Sequence, residues 1–408
     1  MPSKLVRWCA AISAAIAVVA PAASRADDLR LTLEDARQRA LSDSPSLRTA
    51  EAALAAARGR STQSSLGPNP ELRVDLESFD GSGPYRGLNS SETTVGVSQT
   101  LELGGKRRTR MAAAKAEALA VEIKLAIAKA DLLQEVSNRY IDAWGAQEKA
   151  RLAREAVARA EDLSQAAQLL VDTGREPPLR ALRARNAAAA AQAELQAALA
   201  DDVTARSALG ALWSAPSATF SFDLPPPTVS PSASLPKGDA LDVRLAEAEL
   251  TNATAILERE KALATPNVTI EGGVRRFEET DDHALVASVV MPIPIRDRNQ
   301  GAIAAARADV TAAEVRRNQA LADAIRAERD ARGRLAAAEL QVATMTGGAL
   351  PEAEQALRLA RLGYAAGKFS LLEVLDAESA LHDIRISHIQ AEQARAKSQA
   401  ALARALAR

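Results

Sequence analysis

Four short segments of the chain alternate between apolar and polar residues, which is the pattern of a β-strand with two different faces. In the first, Leu72, Val74 and Leu76 alternate with charged residues, and in the second Val95 and Val97 lie opposite small or polar ones. An apolar face and a polar face over about 10 residues suit a strand that spans a membrane in a barrel. Soluble hairpins packed on a domain are the alternative. The predicted strands cover about residues 70–79, 93–103, 267–277 and 285–295.

Ala-rich stretches between the strands predict long helices, because alanine has the highest helix propensity. The longest proline-free stretch runs from Lys106 to Asp172 and would span roughly 100 Å if unbroken, with Gly145 as a point for a bend. A second such stretch covers residues 295–350, and Pro351 is expected to begin a new helix at its first turn.

The chain is an internal two-fold repeat. Residues 65–79 (SLGPNPELRVDLESF) resemble residues 263–277 (LATPNVTIEGGVRRF), and further on residues 171–185 match residues 364–378. A proline-rich stretch separates the copies. The predicted organisation is a first repeat at 27–224, a linker at 225–238 and a second repeat at 239–408, with helix–helix turns near 174 and 367.

The N-terminus has the pattern of a secretion signal. Lys4 and Arg7 precede an apolar run that Pro21 interrupts, and Ala26 ends a small-residue cleavage site, so residues 1–26 are predicted to be a signal peptide. A membrane anchor is the alternative, but the run is shorter than the ~20 residues of a spanning helix. Cys9, the single cysteine, lies inside this segment. The mature chain therefore lacks disulfides, thiol catalysis and thiolate metal ligands.

Charge and composition exclude further classes of protein. The chain has 51 Lys+Arg and 52 Asp+Glu residues, and a nucleic-acid partner, which usually needs a basic face, is not predicted. Apolar residues make up 47% but aromatic residues only 3% of the chain. Native packing in a compact core normally needs bulkier side chains. This composition favours long, thin helices packed side by side.

Candidate catalytic or metal-binding chemistry is sparse. The sequence has no Gly-x-Ser-x-Gly, His-Glu-x-x-His or phosphate-binding glycine motif. His382 and His388 are six residues apart and would point about 120° from each other on a helix. His283 lies in an acidic loop, where a weak cation site and a hydrated loop are the two interpretations. No catalytic residue, metal site or cofactor is predicted.

The strand count predicts an oligomer. Single-chain membrane barrels begin at about 8 strands, and an open sheet would leave unpaired backbone groups in lipid. A trimer of four-stranded subunits would close a twelve-stranded barrel. The long helices of three subunits would then bundle into a tube that continues it.

The motifs at the strand ends resemble those of the TolC-type outer-membrane factors, over essentially the whole mature chain. Leu101-Glu-Leu-Gly-Gly-Lys-Arg107, Asp297-Arg-Asn-Gln-Gly301 and Leu66-Gly-Pro-Asn-Pro70 are similar to the heavy-metal, CzcC-like branch. The resemblance implies a mainly α-helical fold with a small β part: a homotrimer with a β-barrel in the outer membrane of a Gram-negative cell and a helical tunnel in the periplasm. It also implies two partners, a periplasmic adaptor and an inner-membrane resistance-nodulation-division pump.

The function that follows is passive conduction of exported cargo, with heavy-metal cations as the first expectation and organic compounds or drugs as the alternative. A periplasmic adaptor and a coiled-coil scaffold are rival functions for a secreted, helix-rich chain. An adaptor has one helical hairpin flanked by small β domains, whereas this sequence predicts two hairpins, each preceded by a strand pair.

Two kinds of site residue are expected at the helix–helix turns. By resemblance to the family's helix tip, the turns should dock the adaptor; a plain structural turn is the alternative. The same resemblance implies that acidic residues just past the second turn ring the periplasmic gate; a pair of solvated carboxylates is the alternative. The first repeat has arginines at the matching positions, which suggests salt bridges across the gate. The tip residues are Thr173, Gly174, Ala366 and Gly367; the gate residues are Glu373, Asp376, Arg180 and Arg183.

A third group of candidate residues is basic and lies where each strand pair meets its long helix. Cations at a helix N-terminus oppose the helix dipole, so another interaction should account for them. Contact with lipid phosphates at the periplasmic rim of the barrel and simple solvation are the two interpretations. The residues of this basic junction are Lys106, Arg107, Arg108, Arg296 and Arg298.

Overall fold

The computed structural model describes residues 29–216, 220–222 and 240–407. The predicted signal peptide (1–26) and linker (225–238) lie outside the described residues. Among the described residues, no helix combines the length and the apolar content needed to cross a membrane.

Both repeats share the succession of a helix, two long strands and a helical hairpin, and each adds further elements to it. The first repeat contains β1 (Leu29–Leu31), α1 (Leu33–Asp43), α2 (Pro45–Ser64), β2 (Glu71–Glu77), β3 (Glu92–Leu101), α3 (Lys106–Asp172), α4 (Pro178–Gly210) and β4 (Phe220–Phe222). The second contains α5 (Leu241–Leu263), β5 (Val268–Phe277), β6 (Asp282–Val290), α6 (Gln300–Thr344), a π-helix (Met345–Ala349), α7 (Leu350–Ala365) and α8 (Leu371–Ala405).

The four long strands form one antiparallel sheet in the order β2-β3-β5-β6. The central β3–β5 ladder joins the two repeats and runs from Glu92 opposite Phe277 to Leu101 opposite Val268. This ladder is called the seam below. In the described part of the chain, β2 and β6 each have one edge without a partner strand.

Two strand boundaries differ from the prediction. The last strand covers Asp282–Val290 and not residues 285–295. Pro292 and Pro294 have no N–H to donate, so the ladder cannot continue past Val290. The second strand ends at Leu101 and not at 103, because Gly104 and Gly105 then turn the chain with φ values of 68° and 73°. Positive φ is a conformation that glycine adopts at little cost.

The long helix of the first repeat is continuous from Lys106 to Asp172, which is the predicted span. Gly145 lies inside this unbroken helix, and its missing side chain makes room for α8. A Cβ at Gly145 would lie 2.0 Å from Gln393 Nε2, and this nitrogen donates to the Ile141 carbonyl at 3.1 Å. In the second repeat the π-helix interrupts the equivalent stretch, and Pro351 lies in the first turn of α7, as predicted.

The main apolar core lies around the middle of α3. Tyr140 is buried there, donates a hydrogen bond to the Leu31 carbonyl at 2.9 Å, and packs edge-to-face on Phe222 at 5.1 Å between ring centroids. Short β1 and β4 pair in parallel beside it. The core therefore holds the start of the first repeat against its end. Elsewhere, many of the residues buried between helices are alanines.

A capping box begins α1. The Asp35 amide donates to Thr32 Oγ1 at 3.1 Å, and the Thr32 amide donates to the Asp35 carboxylate at 3.3 Å. The hydrogen bonds from Thr32 lower the pKa of Asp35. Such a box satisfies amide groups that a helix N-terminus otherwise leaves without partners.

Candidate functional site

The sheet has one apolar and one polar face. Leu72 and Leu285 are 74% and 88% exposed within the single subunit, and they lie on the same face as Val74, Val95 and Ile270. Such a row of exposed aliphatic side chains suits contact with lipid.

The opposite face of the sheet, called the inner face below, is acidic. Its strand register places six carboxylates and two guanidinium groups on this face, a formal net charge of −4 per subunit. One row crosses all four strands with oxygen-bearing side chains only: Glu71, Ser98, Glu271 and Ser288. The full set of charged residues is Glu71, Asp75, Glu77, Glu92, Glu271, Asp282, Arg73 and Arg275.

The two helix tips are built alike. Gly174 and Gly367 both have a φ of 69°, and each donates a backbone hydrogen bond of 2.9 Å to the residue three positions earlier. No heavy atom of the described residues would lie within 4 Å of a Cβ at either glycine. Thr173 and Ala366, the residues before the glycines, are also exposed. Both predicted tips are therefore open turns at the ends of hairpins.

The hairpins of the two repeats pack against each other just behind the tips. Ala167, Ala184 and Leu371 are buried there, with the half-buried Tyr364 beside them. The Tyr364 hydroxyl is buried and has no hydrogen-bond partner in the part of the chain that the structure describes. Burial, and next the charge of Glu176, raise the pKa of Tyr364.

Within one subunit, the predicted gate residues have different surroundings. Glu373 completes a capping box with Ser370 at the start of α8, and Arg180 forms an ion pair with Glu176 on the first tip. Asp376 and Arg183 are exposed. The subunit therefore does not join the arginines to the acidic residues of the second tip. Glu176 was not among the predicted residues, although its spacing of four from Arg180 favours such a pair.

The basic junction of the first repeat lies against the end of the preceding helix. Lys106 is only 8% exposed, and its ammonium donates to Asn267 Oδ1 at 2.6 Å, which links the two repeats. Arg107 Nε donates to the Ser65 carbonyl at 2.7 Å. Arg110, which the sequence interpretation missed, donates to the Ser64 carbonyl at 3.0 Å and lowers the pKa of Glu102 through a second hydrogen bond.

These contacts give Lys106, Arg107 and Arg110 partners within the protein. The carbonyls of Ser64 and Ser65 are at the C-terminus of α2, where the helix dipole favours positive charge. In the second repeat Asn299 Nδ2 donates to the Glu260 carbonyl at 2.8 Å, near the end of α5. Arg298 Nε donates to the Pro294 carbonyl at 3.2 Å, and Arg298, Arg108 and Arg296 are all exposed.

The two histidines of α8 have separate partners. His382 Nε2 lies 2.7 Å from a Glu194 carboxylate oxygen, and His388 Nε2 lies 3.3 Å from Thr346 Oγ1. In residues 29–216, 220–222 and 240–407, no three His, Cys, Asp or Glu side chains converge on a point where a metal ion could be held.

Sequence comparison covers nearly all of this architecture. The family of outer membrane efflux proteins matches residues 36–215 and 237–408. The chain belongs to this family. It is 31% identical over 368 residues to the cobalt-zinc-cadmium resistance protein CzcC of Cupriavidus metallidurans, a match that covers 88% of this chain and 86% of that protein. It is 32% identical over 307 residues to the nickel-cobalt-cadmium resistance protein NccC of Alcaligenes xylosoxydans, with 74% and 70% covered.

Solved structures show the same fold. CusC superimposes with a TM-score of 0.80 at 20% identity and covers 99% of this chain and 98% of its own. VceC of Vibrio cholerae has a TM-score of 0.76 at 23% identity, with 92% and 96% covered. These results confirm the predicted fold class and the heavy-metal branch. The chain is a subunit of an outer-membrane efflux channel that extends into the periplasm.

Proposed function

We propose that this channel is the outer-membrane part of a tripartite resistance-nodulation-division system and passively conducts divalent heavy-metal cations out of the cell. The main support for this proposal is the acidic inner face of the sheet, which has a formal net charge of −4 per subunit. A channel lined by one sign of charge concentrates ions of the opposite sign. The relatives named for cobalt, zinc, cadmium and nickel resistance support the same class of cargo.

The energy for export comes from the pump in this proposal, and the chain supplies the conduit. The open tips formed by Thr173 and Gly174 and by Ala366 and Gly367 are the surfaces that meet the adaptor. Their support is positional: both tips lie at the far end of the hairpins from the sheet, and both are free of covering side chains in the described subunit.

At the rim of the barrel, the exposed residues of the basic junction bind lipid phosphates. These are Arg107, Arg108, Arg296 and Arg298, whereas Lys106 is buried and engaged with Asn267. Guanidinium groups bind phosphate through two parallel hydrogen bonds.

The gate is proposed to lie between neighbouring subunits. Exposed Asp376 and Glu373 on the second tip of one subunit would face Arg183 and Arg180 on the first tip of the next. Single exposed ion pairs contribute less than about 1 kcal/mol each, so the gate depends on several of them acting together.

Deletion of the gene tests the proposed function. The deletion strain is expected to lose tolerance to at least one of zinc, cadmium, cobalt or nickel, because the pump then has no exit through the outer membrane. Growth is measured on a concentration series of each metal and on a panel of organic compounds, with the wild-type gene supplied back as the control. Unchanged tolerance to every metal, with loss of tolerance to an organic compound, would overturn the metal assignment.

The same strain tests the docking tips. Gly367→Trp is expected to restore little or no metal tolerance while the trimer reaches wild-type amounts, because the bulky side chain occupies the docking surface. Gly83→Trp is the matched control: Gly83 also has a positive φ, 65°, and open space around it, but lies in the loop between β2 and β3. Full export with Gly367→Trp would contradict docking at this tip.

A further inference from the structure

The two arginines of the inner face lie flat across the sheet. Arg73, on β2, donates from Nε to Asp75 at 2.8 Å and reaches over β3 to Glu271 on β5 at 3.5 Å. Arg275, on β5, crosses in the opposite direction. It contacts Glu92 at 2.7 Å and Thr94 Oγ1 at 2.9 Å on β3.

Each arginine therefore bridges the seam. Arg275 also forms an ion pair of 2.9 Å with Glu77 on β2, so both side chains connect β2 with β5. Four of the six inner-face carboxylates, Asp75, Glu77, Glu92 and Glu271, are engaged by these two arginines.

A pair of glycines makes this crossing possible. Gly96 on β3 is opposite Arg73 on one side and Gly273 on the other. Neither glycine has a side chain that could project from the wall between Arg73 and Glu271. The guanidinium group can consequently lie along the wall and need not extend into the channel.

We infer that Arg73 and Arg275 keep the barrel wall from retaining metal cations, because they hold four carboxylates in ion pairs that a passing cation would have to break. Conduction requires that an ion bind well enough to enter and weakly enough to leave. The four carboxylates released from these ion pairs would bind a divalent cation more tightly at the wall, whereas the paired ones attract it mainly through the net charge of the face. The inference rests on the proposed conduction of cations.

The test is single-channel recording of the purified trimer in a planar bilayer. Under a KCl gradient at low ionic strength, Arg73→Gln with Arg275→Gln is expected to raise the potassium-to-chloride permeability ratio at least about twofold, because the channel gains negative charge. Millimolar ZnCl2 should block the double variant and leave most of the wild-type current. In about 1 M KCl, where the screening length is about 3 Å, the permeability ratios of the wild type and the double variant should become similar.

Matched variants separate charge position from charge number. Arg276→Gln removes the same charge one residue away, on the opposite face of β5, where Arg276 pairs with Glu278 and Asp281; the ratio should stay at the wild-type value. The variant with Arg73→Lys and Arg275→Lys keeps both charges, so its permeability ratio should also stay close to the wild-type value. Glu271→Gln should lower it.

The outcomes distinguish the inference from the proposed function. The role of the arginines would be overturned if the wild-type trimer conducts but the Gln variant shows an unchanged potassium-to-chloride permeability ratio and no block by zinc. If the double variant does not assemble, Arg73→Gln alone decides, because this side chain is the more exposed of the two, at 58%. Absence of current in the wild-type trimer, even in about 1 M KCl where the proposed gate is partly open, would overturn conduction itself.

Discussion

Replacing Gly273 with valine is expected to remove the heat-resistant trimer from the outer membrane, whereas the same replacement at Gly272 should leave it near the wild-type amount. A Cβ at Gly273 would lie 2.6 Å from the Val95 carbonyl oxygen and 2.8 Å from Gly96 Cα. Both are backbone atoms of β3, so β3 and β5 would have to separate. At Gly272 no heavy atom of the described residues lies within 4 Å of the added Cβ.

The effect should be large because Gly273 lies in the seam. Overpacking alone typically costs about 1–3 kcal/mol. Here the substitution also breaks the ladder that joins the two strand pairs of each subunit, β2–β3 and β5–β6. Unpaired backbone groups in lipid cost several kcal/mol each. The trimer is measured on gels with and without boiling, in membranes from equal amounts of cells. A wild-type amount of trimer with Gly273→Val would contradict the β3–β5 pairing.

Replacing Arg180 and Arg183 with alanine should raise the single-channel conductance and the cation preference. Both changes follow from the proposed gate, because the acidic residues of the neighbouring tip lose their partners. Arg180 also pairs with Glu176 in its own subunit, so its removal leaves a further carboxylate unpaired at the entrance. High salt should open the wild-type channel partly, since it screens exposed ion pairs.

A matched double variant tests whether the position of the charges matters. Arg329→Ala with Arg334→Ala removes two exposed arginines from α6, away from the tips, and should leave the conductance unchanged. If Arg180→Ala with Arg183→Ala changes neither conductance nor selectivity, the salt-bridge gate is wrong.

Local patterns in the sequence predicted most of the helices and strands. Alternation of apolar and charged residues located β2 and β5, and the absence of proline located α3 from Lys106 to Asp172. The late boundary predicted for the last strand could have been corrected from the sequence as well. Pro292 and Pro294 stand in it at alternate positions, where each removes a hydrogen bond from the ladder.

Contacts between distant residues could not be predicted in this way. Lys106 looked like a surface cation at a helix start, yet it is buried against Asn267 from the other repeat. The contact of Arg107 with the end of α2 had no local signal either, because Ser65 is 42 residues earlier in the chain. The crossing of Arg73 to Glu271 depends on the β3–β5 register, which pairs the two repeats and has no local signal.

One contact of a proposed gate residue did have a local signal. Ser370 and Glu373 stand three residues apart at the start of α8, which is the spacing of a capping box. The acidic side chain that the family resemblance points to therefore also stabilises the start of its own helix. Asp376, which lacks such a local role in the described subunit, is the better position at which to test the gate charge.

Three copies of this chain are expected to form a cation-conducting pore through the outer membrane. The most direct measurement is the current through purified wild-type trimer in a planar bilayer, with ZnCl2 as the only salt on the periplasmic side. Discrete conductance steps, with a reversal potential that shows zinc to be carried, are the predicted result. A protein that stays a soluble monomer without detergent, or a trimer that never conducts, would contradict a conducting trimeric pore.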